Sequence, residues 1–377
     1  MSEIVIESKE EVKLRDGLKA KQDAESKRIE RFLDMPDLSR TEGSPLEAVI
    51  RRVKKIEAFK GFDDIKIPEI IPTKILFDLF NMPPGHPARS RSDTYYVDED
   101  NVLRTHDTVF WYYYLNHPEI REKISKSRDF GVICYGKVYR KDEIDRHHMN
   151  VFHQFGGLYL APDDKKTTTL DDLKNVLGEV AKSVFGPDIE YNFTPETFPY
   201  TDPSIEMNIK IKGEWMEMVG SGLPRKDVLK NFGVTGYNGW AFGFGLERLA
   251  IVSMNLPDIR LLWSSDPRVK RQLRLGSSYK DVSKYPPVVR DISFVVDKGF
   301  IPNDYFDLIR DVGGDMVEEV KLIDTYENKE KFGRDKVSYA FRIIYRSTER
   351  TLVSEEVDKI HKEVEERTKN EFNAAVR

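Results

Sequence analysis

Hydrophobic positions along this chain follow two periods. Leu46, Val49, Ile50, Val53 and Ile56 recur at helical spacing behind Ser44-Pro45, a capping residue followed by the imino acid suited to a first helical turn. Leu170, Leu173, Val176, Leu177, Val180 and Val184 repeat that spacing and predict an amphipathic helix over 167–185. Elsewhere the pattern alternates. Strands are predicted over 133–140 and 151–160, with the charged run KDEIDRHH between them read as an exposed turn. Two more, over 205–211 and 215–220, are joined by Lys212-Gly213-Glu214. Residues 103–106 read as a short strand and 109–115 as a helix. In the segment GWAFGFGLERLA, Gly239, Ala241, Gly243 and Gly245 are interleaved with Trp240, Phe242 and Phe244. A strand of this kind is filled on one face and open to close approach by a ligand on the other. A helix over 246–254 follows and sets Arg248 at the strand-to-helix junction.

The order of elements divides the chain. Residues 1–40 are highly charged, with scattered Val12, Leu14 and Leu18, and read as a solvated, partly helical arm. Residues 41–272 mix mainly antiparallel strands with flanking helices, an α+β arrangement. The polar stretch 273–284, LRLGSSYKDVSK, reads as a linker. Residues 285–377 then predict strand 289–296, helix 304–312, strands 317–325 and 337–346, helix 354–369 and an edge strand within 371–377. This βαββαβ order is ferredoxin-like. On its third strand Tyr339, Phe341, Ile343 and Tyr345 share the face expected to meet the helices. Ala340, Arg342, Ile344 and Arg346 share the other, where two arginines either meet a phosphate backbone or simply keep an exposed sheet face in water.

Composition narrows the classes. With 39% hydrophobic residues, 21 Phe and 17 Tyr among 377 residues, there is material for a large core in two domains. No apolar run approaches the roughly 18 residues that cross a bilayer. The start, MSEIVIESKEEVKLRDG, mixes acids and bases and lacks the acid-poor character of a transit peptide. The expectation is a cytosolic protein, with a processed organellar form as the alternative. The single cysteine, Cys134, excludes a disulfide within the chain and argues against a cysteine-based zinc site. A net charge of −5 is not that of a general nucleic-acid binder, so an RNA role must rest on local patches. Neither a G-x-x-x-x-G-K-[ST] loop nor a G-x-G-x-x-G fingerprint is present.

Two arginine-centred segments, VYRKDEIDRHHMNVFHQ around Arg140 and GWAFGFGLERLA around Arg248, resemble motifs 2 and 3 of class II aminoacyl-tRNA synthetases. The resemblance is closest to the phenylalanine–tRNA ligases of the single-chain, mitochondrial type. Further stretches carry it in the same order: Pro84-Gly85-His86-Pro87-Ala88-Arg89 with Asp93-Thr94-Tyr95-Tyr96, then Leu103-Arg104-Thr105-His106, and Phe198-Pro199-Tyr200-Thr201-Asp202-Pro203-Ser204. Gly213-Glu214-Trp215-Met216-Glu217 and Pro257-Asp258-Ile259-Arg260 complete it, over roughly residues 40–377. Several ordered matches are more specific than any one.

The resemblance implies an antiparallel-sheet catalytic domain and a C-terminal anticodon-binding domain. It implies ATP and Mg²⁺, an aromatic amino acid and tRNA as partners, no membrane, and a monomer. Arg140 would bind the α-phosphate and Arg248 the γ-phosphate end of ATP. Phe152 would stack on adenine, Asp142 or Glu143 would approach its amino group, and His148 would sit near the phosphates. Glu217 would contact Mg²⁺ or the ribose. His106, Thr108 and Gln154 would hold the amino-acid carboxylate and ammonium, and Phe198, Tyr200 and Ala241 would line the side-chain pocket. Arg342 and Arg346 would meet tRNA. Ordinary core packing is the alternative for Phe152, Phe198 and Ala241, and structural ion pairing for Arg140 and Arg248.

The chain departs from the family pattern inside the amino-acid pocket. Phe152-His153-Gln154-Phe155-Gly156 carries glycine where the family has a glutamate for the substrate ammonium, and His106-Asp107-Thr108 stands where it reads His-Thr-Ser. Tyr200 stands where Phe is usual. Asp107 either restores the missing negative charge or caps the helix that begins near Thr108.

Overall fold

The computed structural model describes residues 3–281, 285–347 and 349–377. Part of the sequence-predicted linker, residues 282–284, lies outside them. The chain forms two units. The first comprises the residues up to 139 together with 151–255 and 273–278. The second comprises 140–150, 256–272 and the residues from 279 onward.

An eight-stranded mixed sheet organises the first unit. Its strands in chain order are β1 (Glu3–Val5), β2 (Asp63–Lys66), β3 (Phe130–Tyr139), β4 (Val151–Pro162), β5 (Tyr191–Phe198), β6 (Thr201–Ile211), β7 (Glu214–Pro224) and β8 (Tyr237–Gly245). Their spatial order is β1-β2-β3-β4-β8-β7-β6-β5. Only the β1–β2 and β2–β3 pairs are parallel. Between β6 and β7 the chain reverses through Lys212-Gly213, both with positive φ (53° and 90°), the twist a two-residue hairpin needs. A short two-stranded ladder pairs Ile70–Pro72 with Asn101–Leu103.

Helices cover this sheet. The first two are α1 (Lys9–Ala20) and α2 (Ala24–Asp34); α3 (Pro45–Val53) is capped by Ser44, whose hydroxyl accepts from the Leu46 N–H. The next, α4 (Leu170–Phe185), begins three residues later than the sequence pattern suggests, because Thr169 and Asp172 form a reciprocal capping box. The last, α5 (Leu246–Met254), follows β8 directly.

The N-terminal arm is not solvated. Its β1 extends the sheet, and Leu18, Ile29, Phe32 and Leu33 are buried. Ile29, Phe32 and Leu33 fall at i, i+3 and i+4 on α2, an apolar stripe that the high charge of the flanking positions obscures. The buried Lys137 ammonium donates to the carbonyls of Leu33 and Met35 (both 2.7 Å) at the C-terminal end of α2, where a cation meets the negative end of the helix dipole.

The second unit has a four-stranded antiparallel sheet. Its elements are β9 (Val288–Asp297), α6 (Pro302–Gly313), β10 (Val317–Tyr326), β11 (Lys336–Tyr345), α7 (Ser354–Phe372) and β12 (Ala375–Val376). The strand order is β10-β11-β9-β12. Phe341, Ile343 and Tyr345 are buried together with Phe294 and Tyr305, as the alternation predicts. The run 140–150 belongs to this unit, and it is not the exposed turn expected from its charge. Ile144 is buried in the core of the unit, and its carbonyl accepts from the Val320 N–H at 3.0 Å. Among the described residues no helix is long and apolar enough to cross a membrane.

Candidate active site

Strand register in the first unit builds the site. Gly156 on β4 stands opposite Gly243 on β8, and Gly243 opposite Gly220 on β7. The row continues to Cys134 on β3 and to Glu206 on β6. Because residues directly opposite share a face, three adjacent strands offer bare backbone at one level. Side chains from outside the sheet rest on it. A Cβ on Gly156 would lie 2.4 Å from Asp107 Oδ2 and 2.9 Å from Phe110 Cε1. One on Gly243 would lie 3.3 Å from Asp107 Oδ1, and one on Gly220 2.9 Å from Phe198 Cζ. Glycine at 156 and 220 is therefore a condition for the Asp107 carboxylate and the Phe198 ring to sit where they do. Burial pushes the Cys134 thiol up to about 12, so it is an inert neutral group at this level.

Above this floor the first unit gathers the sequence-predicted amino-acid residues. The Asp107 N–H donates to Gln154 Oε1 (2.9 Å). His106, not Asp107, occupies the cap position of the turn Asp107–Val109, and its side chain makes no capping hydrogen bond. Thr108 is half-buried in the same turn. The Tyr200 ring is stacked on Phe198 (centroids 5.8 Å) and on His106 (6.4 Å) and meets Phe80 and Trp111 edge-on. Ala241 is buried one row along, between Leu158 and Gly222. Phe152 is half-buried on β4, opposite Val138.

An electrostatic cluster lies at the β6–β7 side. A register shift between Met207 and Asn208 sets Glu217 opposite Asn208, on the face that carries Glu206. Burial raises the Glu206 carboxyl above its ordinary range, Glu217 and Glu196 add to the rise, and Arg248 draws it down. The Arg248 guanidinium donates to the Glu217 carbonyl at 2.9 Å. Arg248 and Glu217 are thus brought together, and Glu206 joins them. Glu206 lies in an unremarked stretch of alternating strand, and only the register brings it beside Glu217.

Glu247, the neighbour of Arg248, is buried and bound to β4. Its carboxylate accepts from the His153 backbone N–H (3.0 and 2.9 Å) and meets His153 Nδ1 at 2.6 Å. The other ring nitrogen, Nε2, accepts from the Leu38 N–H at 2.9 Å, so the proton sits on Nδ1 and points at Glu247. One buried pair therefore fixes the helix carrying Arg248, the strand carrying Gln154 and the segment after α2.

The remaining predicted residues belong to the second unit. Arg140 is exposed, and its backbone N–H donates to the Asn150 carbonyl (3.0 Å). Asp142 and Glu143 present backbone carbonyls to Arg310 (3.2 and 2.6 Å). Lys141 pairs with Asp304 (2.8 Å), and Arg146 donates to Glu318 (2.7 Å). His148 Nδ1 lies 2.8 Å from Asp145. Burial alone would raise Asp145, but hydrogen bonds from the His148 ring and the His147 and His148 backbone hold it at about 2. Arg342 is engaged by Asp291 through two bonds (2.8 and 2.7 Å), and Arg346 pairs with Glu318 at 2.6 Å. Arg342 thus has a carboxylate to itself, whereas Arg346 shares Glu318 with Arg146, so that cluster keeps a net positive charge.

A glycine-floored antiparallel sheet, with an arginine on the helix that follows its central strand and a ferredoxin-fold companion, defines a class II aminoacyl-tRNA synthetase. Residues 29–273 match the family of tRNA synthetases class II core domain (F), and residues 283–377 match the ferredoxin-fold anticodon binding domain. The chain is 39% identical over 330 residues to the chloroplastic/mitochondrial phenylalanine–tRNA ligase of Arabidopsis thaliana, covering 85% of this chain and 73% of the relative. It is 34% identical to the mitochondrial enzyme of Mus musculus, covering 80% and 72%. It is 36% identical to the phenylalanine–tRNA ligase alpha subunit of Caldicellulosiruptor bescii over 61% of this chain and 68% of that one. The chain belongs to the phenylalanine–tRNA ligase family. These relatives also correct the expected location: the Arabidopsis and mouse proteins are named as organellar enzymes, pointing away from the cytosol. The mixed charge of the first residues was a poor guide to compartment.

Proposed function

We propose that this chain activates phenylalanine with ATP and transfers it to tRNA. The amino-acid carboxylate attacks the α-phosphorus of ATP and pyrophosphate leaves. The acyl group then passes from the adenylate to a ribose hydroxyl, with AMP as the second product. No covalent enzyme intermediate is required, so the protein's task is positioning and charge stabilisation.

The observation that carries this reading is the glycine row with a carboxylate at one end and aromatic rings at the other. Asp107 takes the substrate ammonium, in place of the glutamate that Gly156 has removed. His106, Thr108 and Gln154 hold the amino-acid head group beside it. Phe198 and Tyr200 receive the substrate ring in edge or stacked contact, and Ala241 leaves space for it. Arg140 binds the α-phosphate and stabilises the charge that develops there, while Arg248 holds the γ-phosphate end. Phe152 stacks on adenine, Asp142 or Glu143 meets its amino group, and His148 lies near the phosphates.

The pair Glu206 and Glu217 fits a hard divalent cation, since burial and the neighbouring Glu217 raise the Glu206 carboxyl and a cation beside them would relieve it. Among the described residues no third acidic, histidine or cysteine ligand joins them. Glu206 and Glu217 would hold Mg²⁺, which would supply charge neutralisation to the triphosphate. The protein acts as a single chain.

ATP–pyrophosphate exchange with an amino-acid panel tests the reading. Exchange with phenylalanine alone supports it. Exchange with a different amino acid identifies a ligase of altered specificity, and no exchange with any identifies a protein that has lost catalysis.

A further inference from the structure

Arg342 and Arg346 already meet carboxylates, Arg346 one that it shares, and the first unit carries positive charge of its own. Five cations gather on and beside α3. Ser44, Ala48, Arg51 and Lys55 fall at i, i+4, i+7 and i+11, one face of that helix and its last turn. Together with residues 273–275 they line a cleft of about 410 Å³. Arg51 and Lys55 also border a second cleft, of about 490 Å³, that runs past Arg40 and Lys54. Among the described residues none that lines the first cleft is acidic.

Their partners separate these cations into two kinds. Lys54 is spent on Asp64 at 2.7 Å, and Arg51 has Glu47 at 3.6 Å. Arg52 donates only to backbone carbonyls, those of Val184 (3.1 Å) and Leu275 (3.5 Å). Lys55 and Arg274 have no carboxylate partner among the described residues, and both are exposed. In a chain of net charge −5, three cations left without a counter-charge around one cleft form a local field of the opposite sign to the whole. Ala48, Leu273 and Leu275 add apolar surface to its lining, suited to sugar and base edges.

We infer that this cleft on α3 binds the phosphodiester backbone of the tRNA substrate. The inference rests on the tRNA-ligating reading and adds a contact surface within the first unit. Two adjoining clefts sharing Arg51 and Lys55 suit an extended polyanion rather than one small phosphate, and cations without partners gain most from releasing the counterions of RNA.

The test is the double variant Lys55→Gln/Arg274→Gln of the full chain. Neither residue holds a structural ion pair, and both side chains reach solvent. We expect tRNA binding at about 0.1 M salt to weaken on the order of 10-fold, and the slope of log affinity against log salt to fall by about 2, one for each lost phosphate contact. ATP–pyrophosphate exchange with phenylalanine should remain at the wild-type rate. An unchanged tRNA affinity and slope overturns the inference. So does a parallel loss of exchange, which would place the effect in the fold or the reacting site. Displacement of tRNA by equimolar tripolyphosphate also overturns it, because the cleft would then be a small-anion site. Failure of the wild-type protein to exchange with phenylalanine would sink the proposed reaction while leaving the tRNA measurement readable.

Discussion

The two sheets of this molecule use opposite designs. In the first unit, β4, β7 and β8 carry seven glycines, and three of them, Gly156, Gly243 and Gly220, stand in one row. In the second unit, β9, β10 and β11 carry none. Glycine inside a strand costs on the order of 0.5–1 kcal/mol each relative to alanine. The first unit recovers this on the opposite face, where Phe155, Phe242 and Phe244 stack at centroid distances of 5.2–6.0 Å. In the second unit every strand position holds a side chain. One face is core and the other is covered by ion pairs such as Arg342–Asp291. A ligand site on a sheet is made by removing side chains, and a packing platform by filling them in. The second unit holds the run 140–150, which carries the proposed α-phosphate ligand Arg140.

The largest expected effect lies in that run. Arg140→Ala should lower kcat for ATP–pyrophosphate exchange by ~10²–10³, as removal of one preorganised transition-state donor does. A near-normal rate would remove the second unit from the chemistry. Next come changes to the glycine floor. Asp107→Asn should raise KM for phenylalanine about 10–100-fold, the loss of one charge-assisted hydrogen bond, and leave KM for ATP near its original value. Gly156→Ala should give the same split, because its Cβ would drive the Asp107 carboxylate aside. Equal changes in both KM values in either variant would show that this end of the row does not read the amino acid. A smaller effect is expected from Arg310→Ala. The guanidinium holds the Asp142 and Glu143 carbonyls, but Lys141–Asp304 and Arg146–Glu318 still anchor the run. We expect kcat for exchange to fall on the order of 10-fold with KM for phenylalanine unchanged.

Much of this contrast is legible in the residues. The alternation of Gly239 to Gly245 announces a strand with one bare face, and the five periodic segments of the C-terminal part give its fold. The row itself is not legible, because it depends on which residues of β4, β7 and β8 stand opposite one another, and register is a tertiary property. Glu206 and the buried Glu247–His153 pair stayed hidden for that reason. Asp107 was visible as a departure, but that its carboxylate rests over Gly156 is a tertiary fact that the sequence does not carry. The N-terminal arm and the run 140–150 were misread together. In both, dense charge masks a few apolar residues, Ile29, Phe32 and Leu33 in one and Ile144 in the other, whose burial outweighs the polar surface around them.

The smallest expected effect tests the filled sheet. Arg342 and Asp291 are each about half exposed (47% and 50%), so their bond works in high dielectric and is screened by salt. Arg342→Ala should therefore shift the denaturant unfolding midpoint only slightly. The hydrogen bond from Arg342 holds the Asp291 carboxyl below its ordinary range, with burial opposing weakly. A carboxyl whose folded pKa is depressed contributes its stability above the unfolded pKa and loses it as pH falls through the folded one. The variant and the parent should accordingly differ near neutrality and converge in acid, once Asp291 is protonated in both states. A pH-independent difference would mean that Arg342 acts through its aliphatic stem. A difference of several kcal/mol would mean that the open face of this sheet is a structural core, and the contrast between the two sheets would need a different cause.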